Sequence, residues 1–385
     1  MILKVKKKTQ HESSNQLGQK IIGMLQQHIR QLGFTPVIHF ELEGCYQSPQ
    51  RKTELNYTVI NQQLRHLNID GKVIPEYWHQ QWEFVSLFNG QSPLKEADNL
   101  SRAIKYLPQL FAKQGIEKTL IKPVVWRGDQ GKLAQGCDNI FTNDERAVHI
   151  PNAIQMNISV NNSKGDNIIC HSNFGEYLQQ CFMQTSLSCS LLYLPEEEAF
   201  ERFALKTKYG LAKELCSPDD ISGGHQGSVA LYKELGKHNQ AMGEEPLLYD
   251  HHHNVVAKAQ CWQKTARIEH RLGASSRYYN AYVNVIYGLL NIIDALEVFL
   301  SGNCHNRLNS QEKVVALPLS LQSKGKDVGA IELFNSCSWF ANRINEIDIL
   351  MTNNNTTNSA TTSQLGDKLK AAILADYQIQ PIITD

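Results

Sequence analysis

Apolar residues recur at the three-to-four-residue spacing of a helix in several parts of the chain. The clearest stretch runs from Leu17 to Leu32, and Gly33 marks its predicted end. Two further helices are predicted over roughly 93–113 and 174–193. The pattern therefore predicts several amphipathic helices, each with one face to bury.

The longest apolar run covers residues 282–300 and contains several polar side chains. Asn284, Asn291, Asp294 and Glu297 all fall within it. Charged groups in the middle of a bilayer are costly, so this run is predicted to be a packed helix of the protein interior.

Alternation of apolar and polar residues predicts four strands, over 37–43, 82–88, 153–160 and 265–272. Each has an apolar face and a polar face. The polar positions are His39, Glu41 and Glu43 in the first, Glu83 in the second, Gln155, Asn157 and Ser159 in the third, and Arg267, Glu269 and Arg271 in the fourth. Two interpretations remain open: separate solvated faces of surface strands, or polar faces that line one shared cleft.

Composition narrows the choice of partners and of cellular compartment. The 385 residues carry 38 Lys+Arg and 38 Asp+Glu, so the net charge is zero. A neutral chain lacks a general attraction to nucleic acid or to anionic membranes, and neither is an expected partner. Nine cysteines without a CxxC pair, together with a polar, basic amino terminus, predict free thiols in the cytoplasm.

The organisation along the chain indicates one large domain. Residues 1–16 are polar and Lys-rich, which predicts a mobile arm before a single domain over 17–385. Residues 128–148 and 206–228 lack clear periodicity and are predicted to be loops or inserts. Residues 350–364 include a low-complexity Asn/Thr-rich segment, which predicts a disordered loop.

Taken in order, these segments resemble the catalytic domain of glutamine synthetase. The similarity spans roughly 17–345 and is specific because the segments follow the family's order. The segments are GFTPVIHFELEGCY, EYWHQQWE, LKEADNLSRAIKYL, TLIKPV, AIQMNISV, KTARIEHRLGASS and LPLSLQS. The resemblance implies an α+β fold, in which a curved, mainly antiparallel sheet presents a polar concave active-site face and helices pack outside.

The family joins a carboxylate to an amine at the expense of ATP, through an acyl phosphate, with Mg²⁺ or Mn²⁺ at two sites. The resemblance implies that Glu43, Glu76 and Glu83 hold one cation. It implies that Glu41 and Glu269 hold the second, where Gln155 replaces the family's His. Carboxylate and amide oxygens suit these hard cations.

The resemblance also assigns residues to the substrates. Arg271 would face the substrate or the transferring phosphate, and Arg202 would bind the substrate carboxylate, a task that suits the guanidinium fork. The family positions around the nucleotide correspond to Lys264, Arg267, Asn157 and Ser159.

The chain departs from the family where phosphate and ammonium are handled. Gln240 stands in place of a phosphate-binding Arg, the companion Arg falls near Glu245, and the flap Glu aligns with Gln226 or its neighbours. One such preorganised group typically contributes roughly 10²–10³ in rate. The motifs also begin near residue 17, without the family's preceding β-grasp domain.

Three functions are therefore weighed, the last of which is a different phosphoryl or nucleotidyl transfer in the carboxylate cleft. The first is an ATP- and Mg²⁺/Mn²⁺-dependent carboxylate–amine ligase that acts on small molecules other than glutamate plus ammonia. The alternative is a catalytically impaired relative that binds nucleotide or a protein partner. The expected assembly is a homo-oligomer smaller than a dodecamer, or a complex with a partner that supplies the missing lid.

Overall fold

The computed structural model describes most of the chain between residues 12 and 378. The described ranges are 12–48, 54–76, 78–87, 90–126, 149–170, 172–202, 229–233, 246–249, 255–258, 262–302, 317–353 and 363–378. The predicted inserts 128–148 and 206–228 lie outside these ranges, as do Gln226, Gln240 and Glu245.

One antiparallel sheet dominates the described residues, with strand order β2-β3-β1-β7-β11-β8 and β4 paired to β1. Its strands are β1 (Phe34–Gln47), β2 (Gly71–Pro75), β3 (Gln81–Ser86), β4 (Lys118–Leu120), β7 (Ile154–Asn162), β8 (Val229–Tyr232) and β11 (Arg267–His270). Two pairs of strands form separate two-stranded sheets: β5 (Val124–Trp126) with β6 (His149–Pro151), and β9 (Pro246–Tyr249) with β10 (Val255–Lys258). The mixed helix and mainly antiparallel architecture confirms the predicted α+β class.

Several helices accompany the sheet within the described ranges, and residues 198–202 are also helical. The named helices are α1 (Ser14–Gln31), α2 (Tyr57–His66), α3 (Pro93–Ala112), α4 (Phe174–Ser186), α5 (Ser190–Tyr193), α6 (Trp262–Thr265), α7 (Ala281–Ser301), α8 (Ala330–Ser336), α9 (Trp339–Asn353) and α10 (Leu365–Gln378).

The apolar side of the sheet packs against the helices. Ile38, Phe40 and Leu42 alternate along β1 and are completely buried. Gly288 of α7 lets this helix come close, since a Cβ there would lie 3.2 Å from Ile38 and 3.3 Å from the Met156 sulfur. The sheet and α7 therefore form the centre of the core.

Helix α7 is the one described helix that is long and apolar enough to cross a membrane. Most of its residues are buried inside the protein, and a helix that is apolar around its whole circumference is expected in the core of a large domain. The predicted packed helix over 282–300 is thus observed.

Several predicted boundaries are wrong. Ser13 caps α1 in a capping box with Gln16, so residues 13–16 belong to this helix and its cap and not to an arm; residues 1–11 of the predicted arm lie outside the described ranges. Gly33 ends this helix as predicted, with φ of +90°. Helix α9 runs to Asn353, inside the predicted loop over 350–364, because Met351 is buried against the core.

The predicted helix over 174–193 is two helices. The hydroxyl groups of Thr185 and Ser186 donate to the carbonyls of Cys181 and Phe182, a side-chain bond that competes with the helical pattern. Helix α4 accordingly ends at Ser186, and α5 begins at Ser190 after a short turn.

The predicted strand over 265–272 is also shorter than expected. Its first residue belongs to α6, and only Arg267–His270 pair with neighbouring strands. Arg271 therefore lies just beyond the strand.

Candidate functional site

Strand register brings the predicted polar positions to one side of the sheet. Residues directly opposite each other on antiparallel strands share a face. Glu43 of β1 lies opposite Glu83 of β3, and Glu41 lies opposite Gln155 of β7. Asn157 of β7 in turn lies opposite Glu269 of β11.

These side chains form one surface of the sheet. We call it the polar face, and it comprises Glu41, Glu43, Glu83, Gln155, Asn157, Arg267 and Glu269. Of the two interpretations that alternation left open, the structure supports a shared face.

Neutral donors bind the carboxylates of β1. The Ala153 backbone N–H donates to Glu43 Oε2 at 2.7 Å, and the Gln155 side-chain amide donates to Glu43 Oε1 at 3.4 Å. Asn157 Nδ2 donates to Glu41 Oε1 at 3.0 Å. These contacts stabilise the two carboxylates without neutralising their charge.

Guanidinium groups bind the carboxylate of β11. Arg267 Nη2 donates to Glu269 Oε2 at 2.8 Å, and Arg271 Nη1 donates to Glu269 Oε1. Arg267 Nε also donates to Asn157 Oδ1 at 2.7 Å. Glu269 is fully buried, so both partners are needed to offset the cost of removing its charge from water.

Arg202 lies behind this group and is also buried. Its Nη1 and Nη2 donate to the carbonyls of Leu272 and Arg271 at 3.4 and 3.3 Å. Burial lowers the pKa of Arg202 to about 10; the charge of Glu43 raises it and the charge of Arg271 lowers it further. The side chain stays cationic at neutral pH and adds positive charge beside Arg271.

The aromatic ring of Tyr232 supports Arg267. The two residues are register partners on β8 and β11, and the guanidinium carbon lies 4.7 Å from the ring centroid, within the range of a cation–π interaction. Burial lowers the pKa of Arg267, while Glu41 and Tyr232 raise it. Sequence reasoning missed Tyr232 because its strand is only four residues long and entirely apolar or aromatic.

The remaining predicted residues lie around the polar face. Glu76 follows β2, where its backbone N–H donates to the Gln81 carbonyl at 3.1 Å in the hairpin that leads to Glu83. Ser159 is two residues from Asn157 on β7 and is half-buried. Lys264 lies in α6, immediately before β11, with an exposed side chain.

The donor set fits a hard divalent cation better at the β1–β3 side than at Glu269. The Glu43 and Glu83 carboxylates are directly opposed, and a cation would relieve their repulsion. Gln155 Oε1 is buried and accepts no hydrogen bond from the described part of the chain. In that same part, however, no three His, Cys, Asp or Glu side chains are already arranged to hold a metal ion.

A cavity of about 910 Å³ lies elsewhere, between the start of α1, α3, the start of α7 and the end of α10. Its lining includes Lys105, Arg277 and Asp376 and none of the polar-face residues. The chemistry of the polar face, and not the size of a cavity, marks the candidate site.

Comparison with known proteins places this arrangement in a fold family. No family profile matches the chain, and no curated protein sequence is significantly similar. Solved structures do match. A crystal structure described as that of a novel glutamine synthase homolog aligns with a TM-score of 0.53 and 13% identity, over 93% of this chain and 75% of that one. This chain has a glutamine synthetase-like fold.

Two further matches are structures of GmaS. The structure without ligand aligns with a TM-score of 0.53 and 12% identity, and the ADP complex with 0.51 and 13%. Each alignment covers 95% of this chain and 75% of the other. The predicted resemblance and fold are confirmed, and at this identity the likeness is one of fold.

Proposed function

We propose that this chain is an ATP- and Mg²⁺/Mn²⁺-dependent carboxylate–amine ligase that acts on substrates other than glutamate plus ammonia. The observation that carries the proposal is the polar face, where carboxylates adjoin buried arginines on one sheet. Such a combination can hold cations and anions side by side, as transfer of a phosphoryl group from ATP requires. The glutamine synthetase-like fold supports the same class of reaction.

The carboxylates would hold the cations. Glu43, Glu76 and Glu83 would bind one, and Glu41, Gln155 and Glu269 the second. When bound, these cations would neutralise the phosphate oxygens of ATP. The first site should be the tighter, because Glu269 already has two arginine partners and Gln155 contributes only a neutral oxygen.

The arginines and nearby polar residues would bind the reactants. Arg202 and Arg271 would orient the acid, whose carboxylate oxygen attacks the γ-phosphate; the bond to ADP breaks and an acyl phosphate forms. The amine then attacks the carbonyl carbon and releases phosphate. Around the nucleotide we place Lys264, Arg267, Asn157 and Ser159.

At three positions the resembled family has a charged side chain, whereas this chain has a neutral one or one of the opposite charge. Gln226, Gln240 and Glu245 therefore argue against the ordinary pair of substrates. An organic amine has further groups that the protein can bind. It therefore depends less on a flap carboxylate than ammonium does. This favours an amine other than ammonia.

Product analysis tests the proposal. The chain is incubated with ATP, Mn²⁺ and pairs drawn from panels of carboxylic acids and amines, and ADP, AMP and phosphate are measured. We expect ADP and phosphate only when a suitable pair is present. Glu43→Gln should abolish this turnover, and Glu117→Gln, at an exposed position, should leave it unchanged.

The same assay separates the alternatives. Nucleotide binding without ADP formation from any pair would favour the catalytically impaired relative. AMP formation would indicate nucleotidyl transfer in place of ligation.

The expected assembly remains a separate prediction. Light scattering of the purified chain should show a particle smaller than the double rings of the resembled family. A ten- or twelve-subunit particle would contradict it.

A further inference from the structure

The cavity of about 910 Å³ that lies away from the polar face opens between four helices. Its lining comes mainly from the start of α1, the second half of α3, the start of α7 and the end of α10. A cavity of this volume is large enough for a small organic molecule. No residue of the polar face contributes to the lining, so a molecule bound here would leave the candidate site open.

The buried part of the lining is apolar and aromatic. Val283 and Ile373 are 2% and 4% exposed. Tyr279 is 6% exposed and packs against the Phe40 ring, with the ring centroids 6.3 Å apart. Such a surface favours a ligand with an aromatic or aliphatic body.

The Tyr279 hydroxyl group lacks a partner within the described part of the chain. It forms no hydrogen bond with any residue there, although the side chain is almost completely buried. Buried hydroxyl groups in folded proteins are nearly always hydrogen-bonded. A polar atom of a molecule bound in the cavity is therefore the expected partner.

The rim of the cavity, which comprises Lys105, Arg277 and Tyr278, carries positive charge. Lys105 of α3 and Arg277, in the segment before α7, are both exposed. Neither forms an ion pair with a described residue. Arg277 Nη2 donates to the Thr119 carbonyl at 2.9 Å, which leaves the positive charge of the guanidinium without a counter-ion in that part of the chain.

The start of α7 adds hydrogen-bond donors beside the rim. Asn280 lines the cavity and caps this 21-residue helix, and its side-chain oxygen accepts from the Val283 N–H at 3.2 Å. The other N–H groups of the first turn have no partner within the helix, and this turn contains no acidic residue. The positive end of the helix dipole therefore lies at the cavity.

One acidic side chain also lines the cavity, but it is bound to the start of another helix. Asp376 of α10 accepts from Ser14 Oγ at 2.8 Å, at the first residue of α1. Asn280 Nδ2 donates to Ser14 Oγ and Asn15 Oδ1 at 3.3 and 2.8 Å, and so joins the two helix starts. Asp376 thus stabilises the start of α1 and forms no ion pair with the two cations of the rim.

We propose that this cavity binds a small organic anion, in which a carboxylate or phosphate group is attached to an aromatic or aliphatic body. Lys105, Arg277 and the N–H groups at the start of α7 would bind the anionic group, and the buried part of the lining would contact the body. An inorganic anion would use only the rim, and a neutral aromatic molecule only the buried part. The inference is independent of the ligase proposal, because it uses no residue of the polar face.

Binding of a fluorescent aromatic sulfonate tests the site. Anilinonaphthalene sulfonate (ANS) should bind the folded wild-type chain and gain fluorescence. Phenyl phosphate should displace it, whereas inorganic phosphate and benzyl alcohol at the same concentration should not. The double variant Lys105→Gln/Arg277→Gln should bind ANS at least about tenfold more weakly, because it loses two charge-assisted contacts.

A matched double variant controls for net charge. Arg65→Gln/Lys164→Gln removes two exposed cations that do not line the cavity, and it should bind ANS like the wild type. Equal affinity of the two double variants would overturn the proposal. Equally effective displacement by inorganic phosphate or by benzyl alcohol, or no ANS binding to the wild type, would overturn it as well.

Chemical labelling locates the bound molecule without a variant. The wild-type chain is acetylated briefly with and without saturating phenyl phosphate, and the labelling of each lysine is followed by peptide mass spectrometry. Phenyl phosphate should slow the acetylation of Lys105 severalfold and leave that of Lys164 unchanged, because of these two only Lys105 lines the cavity. Unchanged acetylation of Lys105 would contradict the proposed site.

Discussion

The polar face has two halves that handle charge differently. In the acidic half, Glu41, Glu43 and Glu83 share the face of β1 and β3, and neutral amides donate hydrogen bonds to the two β1 carboxylates. In the basic half, two guanidiniums bind Glu269. The basic half therefore carries a net positive charge, and the acidic half a net negative one.

Asn157 joins the two halves. Its amide nitrogen donates to Glu41, and its amide oxygen accepts from Arg267. A carboxylate at this position could only accept, and an ammonium could only donate, so an amide is the side chain that satisfies both neighbours. The basic half therefore stabilises the fold, whereas the acidic half is suited to bind ligands.

The largest expected effect follows from removing the charge of Glu269. In Glu269→Gln, two buried guanidiniums lose their counter-ion, and the free energy of unfolding should fall by about 3–5 kcal/mol. Urea denaturation measures this change. Glu54→Gln, at an exposed position, should change stability by no more than about 0.5 kcal/mol. A loss below about 1 kcal/mol for Glu269→Gln would contradict the structural role of the basic half.

The matching substitution in the acidic half should affect binding more than stability. Glu83→Gln removes one of two opposed carboxylates and relieves their repulsion, so without metal the free energy of unfolding should fall by less than in Glu269→Gln. Calorimetric titration with Mn²⁺ should lose its tighter phase, with affinity reduced by roughly tenfold to a hundredfold. Unchanged Mn²⁺ binding would reject the proposed first metal site.

His270, on the side of β11 that faces away from the polar face, should make the free energy of unfolding depend on pH. Burial lowers the pKa of His270 to about 3, so the unfolded chain binds its proton first as pH falls below about 6.5. The stability that the neutral His270 side chain contributes is complete above pH 6.5 and is lost progressively toward pH 3. Between pH 7 and pH 5 the loss should be about 2 kcal/mol.

A variant isolates the contribution of His270 from other titrating groups. His270 packs against the rings of Phe182, Tyr193 and Tyr287, so His270→Phe should fit and should flatten this part of the pH profile. His66→Gln, at an exposed position, should leave the profile unchanged. Equal profiles for the wild type and His270→Phe would show that His270 does not cause the slope.

The smallest effect is expected at the edge of the basic half. Lys264→Ala should weaken ATP binding by about tenfold without changing stability, because the Lys264 side chain is exposed. Arg267→Ala should weaken ATP binding and also lower stability, since Glu269 loses a partner. Fluorescence titration with a labelled ATP analogue gives both affinities, with exposed Lys164→Ala as control. Normal binding by both variants would exclude the proposed nucleotide site.

Local pattern accounts for the longest helices, for four strands of the main sheet and for the kinds of side chain in the site. Periodicity predicted α1, α3 and α7, and alternation predicted the polar positions of β1, β3, β7 and β11. It was wrong where polar side chains compete with the backbone, as in the turn between Ser186 and Ser190, and where a strand ends in a helical turn. Both depend on hydrogen bonds that hydrophobic spacing does not encode.

By itself, the sequence determined which residues alternate, which segments are apolar enough to be buried, and which ordered motifs resemble glutamine synthetase. Only the tertiary structure decided that Glu43 opposes Glu83, that Asn157 joins Glu41 to Arg267, and that Tyr232 lies against Arg267. Alternation is a property of neighbouring residues and assigns each side chain to a face of its own strand. Register and long-range contacts depend on how distant strands and helices pack together, because burial of the whole core selects one pairing among many.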